Sequence, residues 1–333
     1  MIEMDKELWR NSNVLLTGGL GFIGSNLART LVSFGAKVTI LDSLMRPYGG
    51  NMSNLKDIKD KVKIIKKDVR DGLIVKKAVK NKEFIFHLAA QVDQTIAMKN
   101  PRLDLEINLG GTVNVLENCR LYNKKVKIIY TSSRVAIGEP EYLPVDEEHP
   151  IDPKNVYGIN KMAAEKYCIL YNRVHDSRTT VLRLSNVYGP RAQLKHPHYG
   201  VLNLFIGYVL TNRTIPIFGD GNQTRDYVFV EDVVKALVLA AENEKSVGEV
   251  FLVGSGTETK LIDVAEMIID NVGKGDYQFV PYPYTLEKTD IMRFAVNYNK
   301  IRKFLGWIPE TALRNGISTT VSFYRKNLKA YLP

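Results

Sequence analysis

The chain has 333 residues, 45% of them hydrophobic and 25% charged, with 46 Lys and Arg against 36 Asp and Glu for a formal net charge of +10. That balance excludes a disordered or low-complexity chain, and no apolar run approaches the roughly 20 residues of a membrane span. Two cysteines, Cys119 and Cys168, lie in apolar helical surroundings without C-x-x-C spacing, so a disulfide scaffold and a metal site are both disfavoured.

The opening M-I-E-M-D-K-E-L-W-R lacks the basic-then-apolar layout of a signal peptide, and a cytoplasmic protein is expected. N-V-L-L-T (13–17) reads as a buried strand and Phe22 to Phe34 as a helix with apolar residues at helical spacing. Strands follow at K-V-T-I-L (37–41), V-K-I-I (62–65) and F-I-F-H-L (84–88). Asp104 to Tyr122 predicts a long helix, V-K-I-I-Y (126–130) a fifth strand, Val156 to His175 a helix and T-T-V-L-R-L-S (179–185) a sixth strand. Strands apolar on both faces and separated by helices predict an α/β fold, a parallel sheet covered on both sides. After Gly189-Pro190 the elements shorten and the loops grow rich in Pro, Gly, His and Asn. A smaller C-terminal α/β domain, 190–333, is expected beside a first domain of 1–189, with chain from parts of 220–260 returning to the first.

The lysines are spread along the chain, many beside acids, with no Arg-rich arm and no aromatic RNA-binding motif. This predicts a solvated basic surface suited to an anionic small substrate, with no nucleic-acid or membrane partner.

T-G-G-L-G-F-I-G-S-N-L joins the first strand to the first helix. Gly18, Gly21 and Gly24, with Phe22 and Ile23 between them, form a turn in which backbone approaches a pyrophosphate at a helix N-terminus. Asp42 closes the next strand, 18 residues past Gly24. A carboxylate there accepts hydrogen bonds from an adenosine ribose and repels a 2′-phosphate, so NAD is expected over NADP. Arg46, four residues on, would soften that exclusion.

Tyr157 and Lys161, in Y-G-I-N-K, are spaced i, i+4 and share one helix face. A lysine cation beside a phenol favours the phenolate, which suits general-base work. Upstream stands Y-T-S-S-R-V-A-I-G, 130–138, with two adjacent hydroxyls, Ser132 and Ser133, followed by Arg134 and Val135.

These motifs resemble the extended short-chain dehydrogenase/reductase superfamily, and within it the NAD-dependent nucleotide-sugar epimerases and dehydratases. The likeness runs from Val14 to about Lys326 and includes D-V-R-D (68–71), H-L-A-A-Q (87–91), N-L-G-G-T (108–112), L-R-L-S-N-V-Y-G-P-R (182–191), G-D-G-N-Q-T-R-D-Y (219–227) and L-G-W (305–307). It implies a Rossmann-type doubly wound sheet with NAD against the glycine turn, Asp42 and Ser43. Asp68 and Val69 would meet the adenine, while Leu88, Ala89, Ala90, Thr131 and Ser185 would line the cofactor. Asn108 would brace the long helix near the site. Ser133 would bond the reacting hydroxyl, Tyr157 would be the base, and Lys161 would also hold the nicotinamide ribose. Counting back from Gly138 selects Ser133; counting back from Tyr157 favours Ser132 in some relatives, and Ser133 is the reading here.

The resemblance places a nucleotide-diphosphate sugar against Gln91, Asn186, Val201, Leu202 and Ile217, with Arg225 and Arg293 on the diphosphate and Arg191 a weaker candidate. For Arg225 the alternative is an ion pair with Asp226 or Glu231. Relatives commonly form homodimers through helices corresponding to 104–122 and 157–174.

The members that eliminate water carry an acid and a base beside the catalytic hydroxyl, the decarboxylases typically a Glu, and the 3,5-epimerases a Cys. Here Arg134 stays protonated and Val135 has no titratable group. A redox epimerase needs no further acid, and a UDP-glucose/UDP-galactose 4-epimerase-like activity, by transient oxidation and return of the hydride, is the expectation. A CDP-sugar 2-epimerase is the alternative, with other members (4,6-dehydratase, decarboxylase, ketosugar reductase) behind it.

Overall fold

The computed structural model describes residues 4–45, 50–194 and 200–332; Arg46 lies outside them. Seven parallel strands form the main sheet in the order β10-β6-β5-β4-β1-β2-β3. They are β1 Asn13–Thr17, β2 Lys37–Leu41, β3 Val62–Ile65, β4 Phe84–His87, β5 Lys127–Ser133, β6 Arg178–Leu184 and β10 Val250–Val253. The order reverses between β1 and β4, which opens a crevice at the carboxyl ends of the strands, where ligands of such sheets bind.

Side-chain alternation explains why both faces are covered. Leu16 points into one core with Ile40, Phe86, Ile129 and Leu182, under the helices Phe22–Ser33 and Val230–Glu242. Leu15, its neighbour, points the other way with Leu41, Ile85, Ile128 and Val181, under the helices Gly72–Val79, Gly111–Tyr122 and Val156–His175. A period of two applied to strands buried on both sides produces these two cores.

The strand β5 runs three residues beyond the expected Tyr130, so Ser132 and Ser133 are its last residues rather than loop. The expected long helix is real in course but not uniform: Leu105–Gly110 is wound in π-helical form ahead of Gly111–Tyr122. Such widened turns concentrate at functional sites.

The later chain builds a second core. The strands β7 Asn186–Tyr188, β9 Thr224–Phe229 and β11 Glu258–Lys260 make a three-stranded sheet, and β8 Ile215–Phe218 pairs with β12 Tyr277–Val280. The helices Val201–Leu210, Leu261–Val272 and Leu313–Asn327 pack with them around Phe205, Ile206, Ile268 and Tyr324.

Candidate active site

A cavity of about 390 Å³ lies along the strand ends. Its first end is the glycine turn. Gly18 has φ +70°, a left-handed conformation, and a Cβ on Gly24 would stand 2.4 Å from the Gly18 carbonyl oxygen. The Phe22–Ser33 helix starts at Gly21 with no side-chain cap and no acid in its first turn. Its N-terminal amides and positive dipole end are therefore left for an anion. Asp42 accepts from the Leu20 and Leu44 amides, both at 2.9 Å. Burial raises its pKa, and these two bonds oppose the rise. Ser43, Asp68, Val69, Leu88, Ala89 and Ala90 continue the wall with Phe22 and Ile23.

The second end is built on β5 and the Val156–His175 helix. Asn155 caps that helix through the Gly158 amide at 2.9 Å. Tyr157 and Lys161 then share its buried face, and both line the cavity with Thr131, Ser132 and Ser133. Ser133 Oγ accepts from the Val135 amide at 3.3 Å, and its hydroxyl favours the Tyr157 phenolate, whereas the Ser132 hydroxyl is buried without a partner. The Lys161 ammonium donates to the Thr131 carbonyl at 2.6 Å and lies 4.4 Å from the Tyr130 ring centroid.

The titration of this pair departs from the simple expectation. Burial pushes the Tyr157 phenol up rather than down, with the Ser133 hydrogen bond and the Arg134 charge pulling back and Asp104 adding to the rise. Burial also lowers Lys161 to about 8. Desolvation disfavours both charged forms, and the lysine is turned to a backbone carbonyl.

Behind these groups lies a buried amide network. Asn108, within the π-helical turn, donates to the Gln91 carbonyl at 2.8 Å and accepts from the Gln91 amide at 3.0 Å. Asp104 accepts from Gln91, Asn108 and Asn160. Gln91 lines the cavity and Asn108 does not, so Asn108 acts through the loop it braces.

Ser185 and Asn186 also line the cavity, and the Asn186 carbonyl oxygen Oδ1 is buried without a partner. The remaining expected substrate contacts lie elsewhere. Leu202 and Ile217 are buried in the second core and Val201 packs against it, because an apolar side chain gains more there than at a polar rim. Arg225 holds Asp290 through Nη2 at 2.7 Å to each oxygen, not Asp226 or Glu231. Arg293 pairs with Glu258 at 2.7 Å on the exterior. Arg191 donates to the Asn26 side chain at 2.7 Å.

The sequence reading missed Lys67, Gln94, Gln193 and Asn203, all in the cavity wall. Asn203 carried a signal: it is an amide in the apolar run V-L-N-L-F-I, where it bonds the Gly189 backbone.

The family model described as the NAD dependent epimerase/dehydratase family matches residues 14–254. The chain belongs to that family. It is similar to a putative UDP-glucose 4-epimerase of Methanocaldococcus jannaschii, 39% identical over 94% of this chain and 99% of that one. Among solved structures it resembles an epimerase from Methanothermobacter thermautotrophicus, with a TM-score of 0.91 and 28% identity over 97% of this chain and 95% of the other. It also resembles the UDP-glucose 4-epimerase of Thermotoga maritima solved with UDP-glucose, with a TM-score of 0.85 and 32% identity over 95% and 99%. Family proteins named dTDP-glucose 4,6-dehydratase and CDP-paratose 2-epimerase match as well.

The family is NAD dependent, and the residues of this epimerase/dehydratase fold fit that cofactor. The uncapped helix end, the turn that a Cβ on Gly24 would fill and the Asp42 carboxylate suit a pyrophosphate and a ribose. No helix among the described residues is long and apolar enough to cross a membrane.

Proposed function

We propose that this protein is a redox epimerase of nucleotide-diphosphate sugars, of the UDP-glucose 4-epimerase type. One observation carries the reading: among the described residues, the carboxylates lining the cavity are Asp42 and Asp68, and both belong to the glycine-turn end. Asp42 follows β2 and Ser133 ends β5, three strand spacings away, or roughly 14 Å. Beside Tyr157 the wall is Ser133, Arg134 and Val135. An elimination or decarboxylation that needs a second acid or base has none there.

When bound, NAD supplies reversible oxidation of the sugar carbon. Ser133 and Tyr157 hold the reacting hydroxyl, and Tyr157 takes and returns its proton. The phenolate that takes the proton is the form burial disfavours, and the Ser133 hydroxyl and the Arg134 charge, which pull the phenol back down, are what favour it. The sugar turns over in the pocket between the two half-reactions, and the protein's remaining task is positioning. The likeness to UDP-glucose 4-epimerases supports C4 as the exchanged carbon; a CDP-sugar 2-epimerase is the second outcome the test distinguishes.

The same reading makes the protein a homodimer. Leu105 and Leu121 on one helical run, and Ile159, Leu170 and Val174 on the Val156–His175 helix, are about half exposed or more, an apolar face whose natural cover is a second copy.

The deciding experiment incubates the purified protein with UDP-, CDP-, GDP- and dTDP-sugars and identifies products by NMR. Epimers at one carbon with no net redox change are expected. A dehydrated or decarboxylated product, or none with any sugar, sinks the reading.

A further inference from the structure

Arg134 is only 7% exposed, yet its Nη1 is buried without a hydrogen-bond partner. Its guanidinium rests over the Phe294 ring, 5.4 Å from the centroid. A buried cation without an acceptor is costly. Burial, then the neighbouring charge of Arg225, bring Arg134 down to about 10.

The carboxylates whose charge reaches Arg134 are Asp290 and Asp226, and both are occupied. Asp290 accepts from Arg225 on both oxygens, from the Ile291 amide at 2.9 Å and from the Tyr282 hydroxyl. Asp226 accepts from the amides of Ser255, Gly256 and Val296 and from the Ser255 hydroxyl. Tyr227, within the field of Arg134, has a buried hydroxyl that also lacks a partner. Arg134 is therefore left without a carboxylate of its own in this corner.

Arg134 lines the cavity directly after Ser133, in the wall that also holds Tyr157. We propose that Arg134 recognises a carboxylate on the sugar, on the carbon beside the reacting one, so that the preferred substrate is a nucleoside diphosphate hexuronate rather than the matching neutral hexose. The inference rests on the epimerase reading for the placement of the sugar. A guanidinium suits a carboxylate because two parallel N–H donors meet two oxygens. The incoming carboxylate would supply the counter-charge that this buried cation lacks. The 6-hydroxyl of a hexose supplies one neutral acceptor and leaves that charge uncompensated.

UDP-glucuronate and UDP-glucose differ only at C6. Their dissociation constants, with UDP as the reference, are measured by calorimetry on the NAD-loaded full chain, for wild type, Arg134→Met and Arg134→Lys. Wild type is expected to bind UDP-glucuronate at least tenfold more tightly than UDP-glucose. In Arg134→Met the uronate-to-hexose preference falls by about 10- to 100-fold, the span of a charged hydrogen bond, and Arg134→Lys keeps part of it. Equal affinities in wild type overturn the proposal. So does an Arg134→Met that weakens UDP as much as UDP-glucuronate, since the contact is then to the diphosphate. If Arg134→Met does not fold, the wild-type ratio and Arg134→Lys decide. A uronate preference without epimerisation leaves this inference standing and removes the epimerase reading; epimerisation of UDP-glucose without that preference does the reverse.

Discussion

The Lys161 ammonium donates to the Thr131 carbonyl at 2.6 Å, tying the Val156–His175 helix to the end of β5. This contact orients the buried lysine at the cavity wall, and burial lowers it from 10.5 to about 8. Between those values the unfolded chain holds a proton that the folded chain has released. This group therefore makes stability rise with pH from about 8 to about 10.5, and its destabilisation is fully present below 8. Lys161→Met is expected to be inactive but more stable at pH 7, by up to about 2 kcal/mol. Denaturant midpoints for both proteins at pH 7 and pH 9.5 check this. A variant less stable than wild type at pH 7 contradicts it.

Tyr157 and Ser133 both line the cavity, and Ser133 favours the Tyr157 phenolate. Tyr157→Phe is expected to lower kcat by about 10²- to 10⁴-fold, the contribution of a positioned acid–base group, with NAD content unchanged. Ser133→Ala follows with a smaller loss, and Ser132→Ala with less than either. Steady-state rates beside the bound-cofactor ratio read all three. A Ser132→Ala defect larger than that of Ser133→Ala would reverse the assignment.

Gly24 has no room for a side chain. Gly24→Ala places a methyl 2.4 Å from the Gly18 carbonyl oxygen and is expected to cost about 1–3 kcal/mol and the co-purified NAD. Gly110→Ala is the control, since its Cβ would meet nothing nearer than 3.7 Å. Extraction and quantification of the nucleotide, with a thermal melt, separates them. Wild-type NAD content in Gly24→Ala would show that the turn does not touch the cofactor.

Arg225 and Asp290 form a largely buried ion pair, with side chains 9% and 24% exposed. Asp290→Ala leaves the arginine unpaired and is expected to lower stability by about 1–3 kcal/mol. If Arg225 also serves the diphosphate, Arg225→Met weakens UDP at least tenfold in calorimetry. An unchanged UDP affinity confines Arg225 to the ion pair.

Leu170 is 51% exposed on the apolar helix face. Leu170→Glu is expected to shift the protein from dimer to monomer in sedimentation. A wild-type monomer under the same conditions removes the dimer altogether.

Much of this molecule is legible in local pattern. Period-two runs such as N-V-L-L-T, the glycine turn and its acid, and the i, i+4 Tyr-Lys pair report backbone geometry that neighbours in the chain impose. Ser133 was legible only as one of two hydroxyls, because the length of the following loop leaves the count ambiguous; both line the cavity, and Ser133 is the one that acts on Tyr157.

Contacts between distant segments were not legible. Arg225 finds Asp290, 65 residues on, rather than its neighbour Asp226, whose oxygens are taken by amides of Ser255, Gly256 and Val296. Leu202 and Ile217 went to a core, not to the cavity, since which face of a short element is buried depends on what packs over it. The sign of the Tyr157 shift followed from burial that no spacing encodes. By itself the sequence determined the strand order's raw material, the cofactor turn and the Tyr-Lys pair, because these depend on residues close along the chain. The tertiary structure alone decided which arginine is paired and that Arg134 is buried without an acceptor, because desolvation and ion pairing depend on groups the fold brings in from elsewhere.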